Sequence, residues 1–92
     1  MWYMHAKWVH SYDDEPVDLY SEVDDGWEVR KVEIYADGSA QYAGPEGATG
    51  DTLLSEARLL TLDEINRDPQ FKAVSVSQRE FERVWQVAHG AS

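Results

Sequence analysis

The stretch that decides the fold is residues 17–43, VDLYSEVDDGWEVRKVEIYADGSAQYA. It contains an Asp-Gly pair at residues 25–26 and another at residues 37–38, each flanked by alternating apolar and polar side chains. Asp-Gly between alternating runs is typical of a tight β-hairpin, because both residues tolerate a positive φ. The stretch therefore predicts three antiparallel strands, one from residue 17, one over 27–35 and one over 40–43. A two-residue second turn places Glu33 opposite Tyr42.

The third strand of this stretch changes its pattern halfway. Trp27 and Val29 are apolar at odd positions, whereas Val32 and Ile34 are apolar at even positions. Either both faces of this strand are partly buried, or a β-bulge shifts the alternation between them.

Weaker patterns predict strands on either side. Residues 2–10 alternate with apolar side chains on both faces, which favours an interior strand. Residues 71–76 could add a short edge strand. Residues 44–51 are rich in glycine and predict a loop, and residues 52–60 have no clear period.

Two capping boxes predict two helices near the end of the chain. Residues 61–64 and 77–80 both have a Ser or Thr followed three positions later by Glu. Pro69 limits the first helix to about two turns, and Gly90 is a plausible stop for the second.

The predicted fold class is α+β, with residues 1–92 forming a single domain. An antiparallel sheet of about four strands comes first, and two short helices pack on one face of it. A chain of this length buries roughly 60–65% of its unfolded surface, which is enough for a small independent core.

Composition restricts the possible functions. The chain has no cysteine, which excludes disulfides and thiolate chemistry and favours the cytoplasm. We expect no secretory signal peptide, because the first residues contain no basic region followed by a long apolar run. We also expect no membrane span, because no segment approaches about 20 apolar residues. The isoelectric point near 4.5 argues against direct binding of nucleic acid or anionic lipid.

The acidic residues are concentrated in residues 13–28, a segment without Lys or Arg. Its eight carboxylates are those of Asp13, Asp14, Glu15, Asp18, Glu22, Asp24, Asp25 and Glu28, in a chain of net charge −10. Like charges this close repel one another. Stability alone does not explain the cluster, whereas a basic protein partner would.

A strand from residue 17 divides these acids by position. Asp18, Glu22 and Asp24 then share one face of the strand with Tyr20, and we expect this face to be exposed. The acids of residues 13–15 are predicted to lie in a loop and to be solvated. Exposed aromatic side chains are typical binding anchors. The predicted partner-binding residues are Asp18, Tyr20, Glu22, Asp24, Asp25, Tyr12 and Trp27.

Several motifs resemble those of a known family. They are Trp8-x-His10, Pro16-x-x-Leu19-Tyr20-Ser21-Glu22-x-Asp24, Trp27-Glu28-x-Arg30-Lys31-Val32-Glu33-x-Tyr35-x-Asp37-Gly38, Glu64-Ile65-Asn66-x-Asp68-Pro69-x-Phe71 and Glu80-Phe81-Glu82-x-x-Trp85. Together they resemble a family of small bacterial proteins classed only as a domain of unknown function. The resemblance covers nearly the whole chain and implies no activity and no site residues.

The leading hypothesis is a small acidic protein, monomeric or weakly dimeric, that docks on and inhibits a basic partner. An immunity protein, an antitoxin or a phage-type inhibitor of a nucleic-acid enzyme works in this way. One alternative is an enzyme using His10, Glu22 and Arg30, although His10 is better explained as a structural residue and no catalytic residue is assigned. The other is a domain whose acids only keep it soluble.

The sequence predicts no metal and no other cofactor. Residues 21–26 lack the ligand spacing of an EF-hand loop, and the three histidines lack zinc-ligand spacing. A looser divalent-cation site is the remaining alternative. Arg30 and Lys31 are expected to point to opposite faces of the sheet and to pair with its carboxylates.

Overall fold

In the computed structural model, which describes residues 1–50 and 52–90, the chain forms six strands and two helices. These are β1 (Trp2–Trp8), β2 (Asp18–Asp24), β3 (Trp27–Ile34), β4 (Ala40–Gly44), β5 (Gly47–Ala48), α1 (Leu62–Asn66), β6 (Phe71–Val76) and α2 (Gln78–Gly90). All strands pair antiparallel in one sheet, in the order β5-β4-β3-β2-β1-β6. The α+β prediction is confirmed.

The sheet has more strands than the roughly four predicted. β6 is the edge strand expected over residues 71–76, and β1 is the interior strand expected near the start of the chain. β4 ends at Gly44 and β5 lies at residues 47–48, so the loop prediction for residues 44–51 was wrong at these three positions. Residue 51 of that predicted loop lies outside the described residues. No helix in residues 1–50 and 52–90 is long and apolar enough to cross a lipid bilayer.

The two Asp-Gly turns differ in length. Asp25 and Gly26 have φ values of 51° and 83° and close a two-residue turn, as predicted. At the second turn, the Tyr35 amide donates to the Ser39 carbonyl at 2.9 Å, and Gly38 has a φ of 87°. That pairing encloses residues 36–38, a three-residue loop. The extra residue shifts the register by one, so the prediction that Glu33 lies opposite Tyr42 was wrong.

A β-bulge causes the change of pattern in β3. Glu22 pairs with Arg30, but the next residue, Val23, pairs with Glu28, which leaves Val29 as an extra residue on β3. One extra residue reverses the direction of the side chains that follow. The bulge predicted as one of two alternatives is confirmed.

The two helices pack on opposite faces of the sheet. Val84 and Ala88 of α2 contact Val32 on one face, whereas Ile65 of α1 packs against Met4 on the other. The α2 face contains Tyr3, His5, Asp18, Tyr20, Glu22, Arg30, Val32 and Tyr42, and the α1 face contains Met4, Ala6, Leu19, Ser21, Glu28, Lys31 and Ala73. The prediction of both helices on one face was wrong, because β1 presents buried apolar side chains on both sides.

Both predicted helix starts are confirmed. In α1, the Thr61 side chain accepts from the Glu64 amide, and the Glu64 carboxylate accepts from the Thr61 amide, which completes the capping box. Ser77 Oγ accepts from the Glu80 amide at 3.1 Å at the start of α2. The Glu80 carboxylate pairs with Arg83 instead of returning to the cap.

Residues 52–60 form neither a helix nor a strand but an extended segment that lies along β3 on the α1 face. Its contacts are Thr52 Oγ1 to Glu33 Oε1 (2.7 Å), the Leu53 carbonyl to Lys31 Nζ (2.6 Å), the Ser55 amide to Glu28 Oε1 (2.9 Å) and the Leu59 amide to the Gly26 carbonyl (2.7 Å). Polar side chains of β3 therefore supply hydrogen bonds that this segment does not make within itself.

The outer edge of β6 is capped by a side chain. Asn66 Oδ1 accepts from the Ala73 amide at 2.7 Å, and Asn66 Nδ2 donates to the Ala73 carbonyl at 2.8 Å. The Phe71 amide donates to the Asp68 carbonyl at 3.0 Å. An open strand edge is a template for pairing with another chain, and Asn66 blocks this one.

We expect Asn66→Ala to destabilise the protein by about 1 kcal/mol, because two backbone groups of Ala73 lose their hydrogen bonds. The variant should also self-associate more, since the edge of β6 is opened. Urea denaturation and analytical ultracentrifugation measure the two effects. Gln86→Ala, which removes an exposed amide from α2, is the matched control. Equal stability and equal sedimentation of the two variants would contradict the capping role.

Candidate functional site

The structure separates the acidic residues of the run into four places. Asp18 and Glu22 lie on the α2 face, and Glu28 lies on the α1 face. Asp24 and Asp25 lie at the β2–β3 turn, at one end of the sheet. The carboxylates of residues 13–15 lie in the exposed loop between β1 and β2, at the opposite end. No single surface therefore carries the whole run.

Glu22 is buried in an ion-pair network beneath α2. Its carboxylate accepts from Arg30 Nε at 2.7 Å and from Arg30 Nη2 at 2.9 Å, and Glu82 of α2 binds the same guanidinium. The guanidinium lies over the rings of Phe81 and Trp85, 5.0 and 4.9 Å from their centroids. Glu22 is only 5% exposed. The prediction that Glu22 lines an exposed face was wrong, because α2 covers that face.

The charges in this network stabilise one another. Hydrogen bonds from Arg30 lower the pKa of Glu22 below its usual range, with a smaller lowering from the Tyr3 hydroxyl, although burial acts in the opposite direction. Burial and the neighbouring Glu22 raise the pKa of Tyr3. Glu22 and Arg30 are therefore both ionised at neutral pH, and Tyr3 keeps its proton.

Asp18 and Tyr20 are occupied by contacts within the molecule. Asp18 Oδ1 lies 2.8 Å from His5 Nε2, and the His5 ring stacks on Tyr20 with centroids 4.3 Å apart. Burial raises the pKa of Tyr20, as does the nearby charge of Asp18. Both residues are half-buried. Of the acids predicted on this strand face, only Asp24 is exposed.

Asp25 and Trp27 lie beside a cation. The Arg58 guanidinium is 5.2 Å from the Trp27 ring centroid, and Arg58 Nη2 is 3.7 Å from Asp25 Oδ2. Trp27 remains 43% exposed. Arg58 offsets the negative charge at this end of the sheet.

The loop between β1 and β2 is held in place by His10. The His10 Nε2 donates to the Pro16 carbonyl at 2.7 Å, and Nδ1 accepts from the Tyr12 amide at 2.9 Å. This pair of bonds requires a neutral ring protonated on Nε2. His10 also packs against Trp8 and Tyr12, with ring centroids 4.3 and 5.3 Å apart. His10 is thus hydrogen-bonded and packed against aromatic rings, as its structural interpretation predicts.

The same loop meets the turn between β3 and β4. Asp13 and Asp37 both line a cavity of about 310 Å³, whose other lining residues are Tyr35, Ala36, Ser39 and Gln41. The Ser39 hydroxyl and amide donate to Asp37, which lowers the pKa of that carboxyl and keeps it ionised at neutral pH. We call Tyr12, Asp13, Asp14, Glu15 and Asp37 the acidic end. Residues 9–17 and 35–39, which contain it, include no Lys or Arg.

The catalytic alternative required three side chains to meet, and the structure does not bring them together. Glu22 and Arg30 lie beside Tyr3 near the start of β1, whereas His10 follows the far end of β1 at Trp8. Five strand residues span roughly 16 Å. In the described ranges, 1–50 and 52–90, no three His, Asp or Glu side chains are grouped closely enough to hold a metal ion.

Sequence reasoning missed two acidic residues that the fold makes important. Glu82 completes the network around Arg30, and Asp37 extends the acidic end. The pairing of β2 with β3 contained the signal for Asp37. Because β3 ends beside the start of β2, the turn that follows β3 lies next to the loop that precedes β2. No pattern in the sequence indicated Glu82, since its contact with Arg30 depends on how α2 crosses the sheet.

Arg30→Met should destabilise the protein by about 3 kcal/mol at neutral pH, because it leaves Glu22 buried without its partner. Adding Glu22→Met should recover part of the loss, since the buried charge is then removed as well. Urea denaturation measures both. Arg83→Met, which breaks an exposed pair with Glu80, is the control and should change stability little. Equal losses in Arg30→Met and Arg83→Met would contradict a buried network.

The network also predicts a dependence on pH. The pKa of Glu22 is lower in the folded state, so its charge stabilises the fold above the unfolded value of about 4.3, and the contribution is lost as pH falls through the folded value. The stability difference between the wild type and Glu22→Gln should therefore be largest at neutral pH and shrink in acid. Denaturation series from neutral to acidic pH test this. A difference that stays constant would show that the ionisation of Glu22 contributes nothing.

The comparisons with known proteins agree with the resemblance found in the sequence. A family model described as a domain of unknown function, DUF6881, matches residues 2–90. No curated protein and no solved structure matches the chain. Since the family model covers nearly all of the fold described above, the chain belongs to the DUF6881 family.

Proposed function

We propose that the protein is a small acidic binding protein that docks on and inhibits a basic partner through its acidic end. The observation that carries the proposal is a set of four carboxylates in two segments, residues 9–17 and 35–39, that contain no Lys or Arg, beside a tyrosine that is 60% exposed. The loop acids thus replace Asp18, Tyr20 and Glu22, which were predicted from the sequence but have partners within the fold.

The hydrogen bonds that fix the loop backbone support this role. His10 fixes the backbone on both sides of the loop acids, through the Tyr12 amide and the Pro16 carbonyl. A loop that is ordered before binding loses less conformational entropy in the complex. Tyr12 offers a large, rigid contact surface with few rotatable bonds, as binding anchors do.

The charge supports a basic partner. A surface of one sign raises the encounter rate with an oppositely charged protein by about 10- to 1000-fold at low salt. Enzymes that act on nucleic acids have a cationic groove for phosphates, and carboxylates in that groove would exclude the substrate. The proposal is therefore an immunity-like or antitoxin-like inhibitor of such an enzyme, which it would meet in the cytoplasm.

The test compares two variants with the same change in net charge. The first is Asp13→Asn/Asp14→Asn/Glu15→Gln at the acidic end, and the control is Asp24→Asn/Glu46→Gln/Glu56→Gln at exposed sites elsewhere. Each is immobilised and exposed to host-cell extract at low and at moderate salt. We expect the wild type and the control to retain a basic protein at low salt, and the acidic-end variant to lose it.

The isolated partner then allows a sharper measurement. Tyr12→Ala should weaken its affinity by about thirtyfold, which corresponds to a hot-spot loss of about 2 kcal/mol. The wild type should also inhibit its activity on nucleic acid. Equal retention by the two charge variants, or a bound partner whose activity is unchanged, would refute the proposal.

A further inference from the structure

A second cavity lies on the α1 face of the sheet, away from the acidic end. Its volume is about 280 Å³, and it opens between the sheet, α1 and the segment of residues 52–60. Its apolar walls include Met4, Ala6, Leu19, Leu59, Ile65 and Phe71. An apolar cavity of about 150 Å³ is enough to bind benzene, so this one has room for a ring and a short chain.

The floor of this cleft is polar. Ser21, Glu28 and Lys31 line it together with the apolar walls. The Glu28 side chain is only 4% exposed. Its Oε2 accepts from Ser21 Oγ at 2.7 Å, and its Oε1 accepts from the Ser55 amide at 2.9 Å. Burying a carboxylate is costly, and these two hydrogen bonds offset part of the cost.

Glu28 retains unused hydrogen-bonding capacity. A carboxylate offers about four acceptor positions, and Ser21 and Ser55 fill two of them. Lys31 Nζ is 3.5 Å from Glu28 Oε1, too far for a good hydrogen bond, and donates instead to the Leu53 carbonyl at 2.6 Å. Glu28 can therefore accept a further donor from the cavity.

The charges around the cleft indicate the sign of its ligand. Glu64 and Asp68 also line it, so its lining includes three acidic residues and one basic residue, Lys31. A buried carboxylate binds a charged donor more strongly than a neutral one. The complementary ligand has an apolar body and carries a positive charge at one end.

We propose that this cleft binds a small amphipathic amine, with its ammonium group at Glu28 and its apolar body between Met4, Leu19 and Ile65. The size, the apolar walls and the few polar groups on the floor match the usual anatomy of a small-molecule site. The site is separate from the acidic end, so it stands or fails independently of the proposed inhibitor function.

The first test uses three probes of similar size, 2-phenylethylamine, 2-phenylethanol and 3-phenylpropanoate. Titrations followed by NMR give their affinities and locate the shifted methyl groups. We expect the amine to bind about tenfold more tightly than the alcohol and the carboxylate to bind least, with shifts at Met4, Leu19 and Ile65. Equal affinities for amine and alcohol, or no saturable shift at these residues, would overturn the proposal.

Two variants separate recognition of charge from occupation of the cleft. Glu28→Gln keeps an acceptor for the Ser55 amide, and it should remove the preference for the amine over the alcohol. Ile65→Phe keeps Glu28 but fills the cleft, and it should abolish binding of both probes. Val87→Phe adds the same ring at an exposed position of α2 and is the matched control. Loss of binding in the control, or an unchanged preference in Glu28→Gln, would show that the amine binds elsewhere.

Discussion

The ion-pair network of Arg30 with Glu22 and Glu82 is the interaction on which the arrangement of charge in this protein depends. It joins β2 and β3 to α2, and its guanidinium also packs against Phe81 and Trp85. A partly buried guanidinium needs carboxylates at hydrogen-bond distance, since its desolvation is otherwise costly. Glu22 meets that need. It is therefore part of the packing of α2 and is withdrawn from the acidic surface.

β3 serves two faces of the sheet with different chemistry. After the bulge at Val29, Arg30 points to the α2 face and Lys31 to the α1 face, each near a carboxylate, as the sequence predicted. On the α1 face, polar side chains of β3 bind the backbone of residues 52–60. Glu28 accepts from the Ser55 amide of this segment and also lies on the floor of the cleft. The proposed amine site thus exists because residues 52–60, an irregular segment, cover much of the α1 face in place of a helix.

The two proposals use different parts of the acidic run. The acidic end is exposed and ordered by His10, and the segments that contain it include no Lys or Arg, which suits recognition of a large basic surface. Glu28 is buried on the polar floor of a cleft with apolar walls, which suits recognition of one small cation. Burial decides between these roles, because it determines how strongly a carboxylate interacts and how large a partner can reach it.

The sequence by itself determined the features that depend on neighbouring residues. The turn at Asp25-Gly26, the caps at Thr61 and Ser77 and the opposite directions of Arg30 and Lys31 all follow from local geometry. Only the tertiary structure decided which face each helix covers and how residues 52–60 run. It also decided that Glu22 is buried, whereas the exposure of the loop acids was predicted from the sequence. Alternation along a strand shows which side chains share a face, but that face is solvated or buried according to what packs on it from elsewhere in the chain.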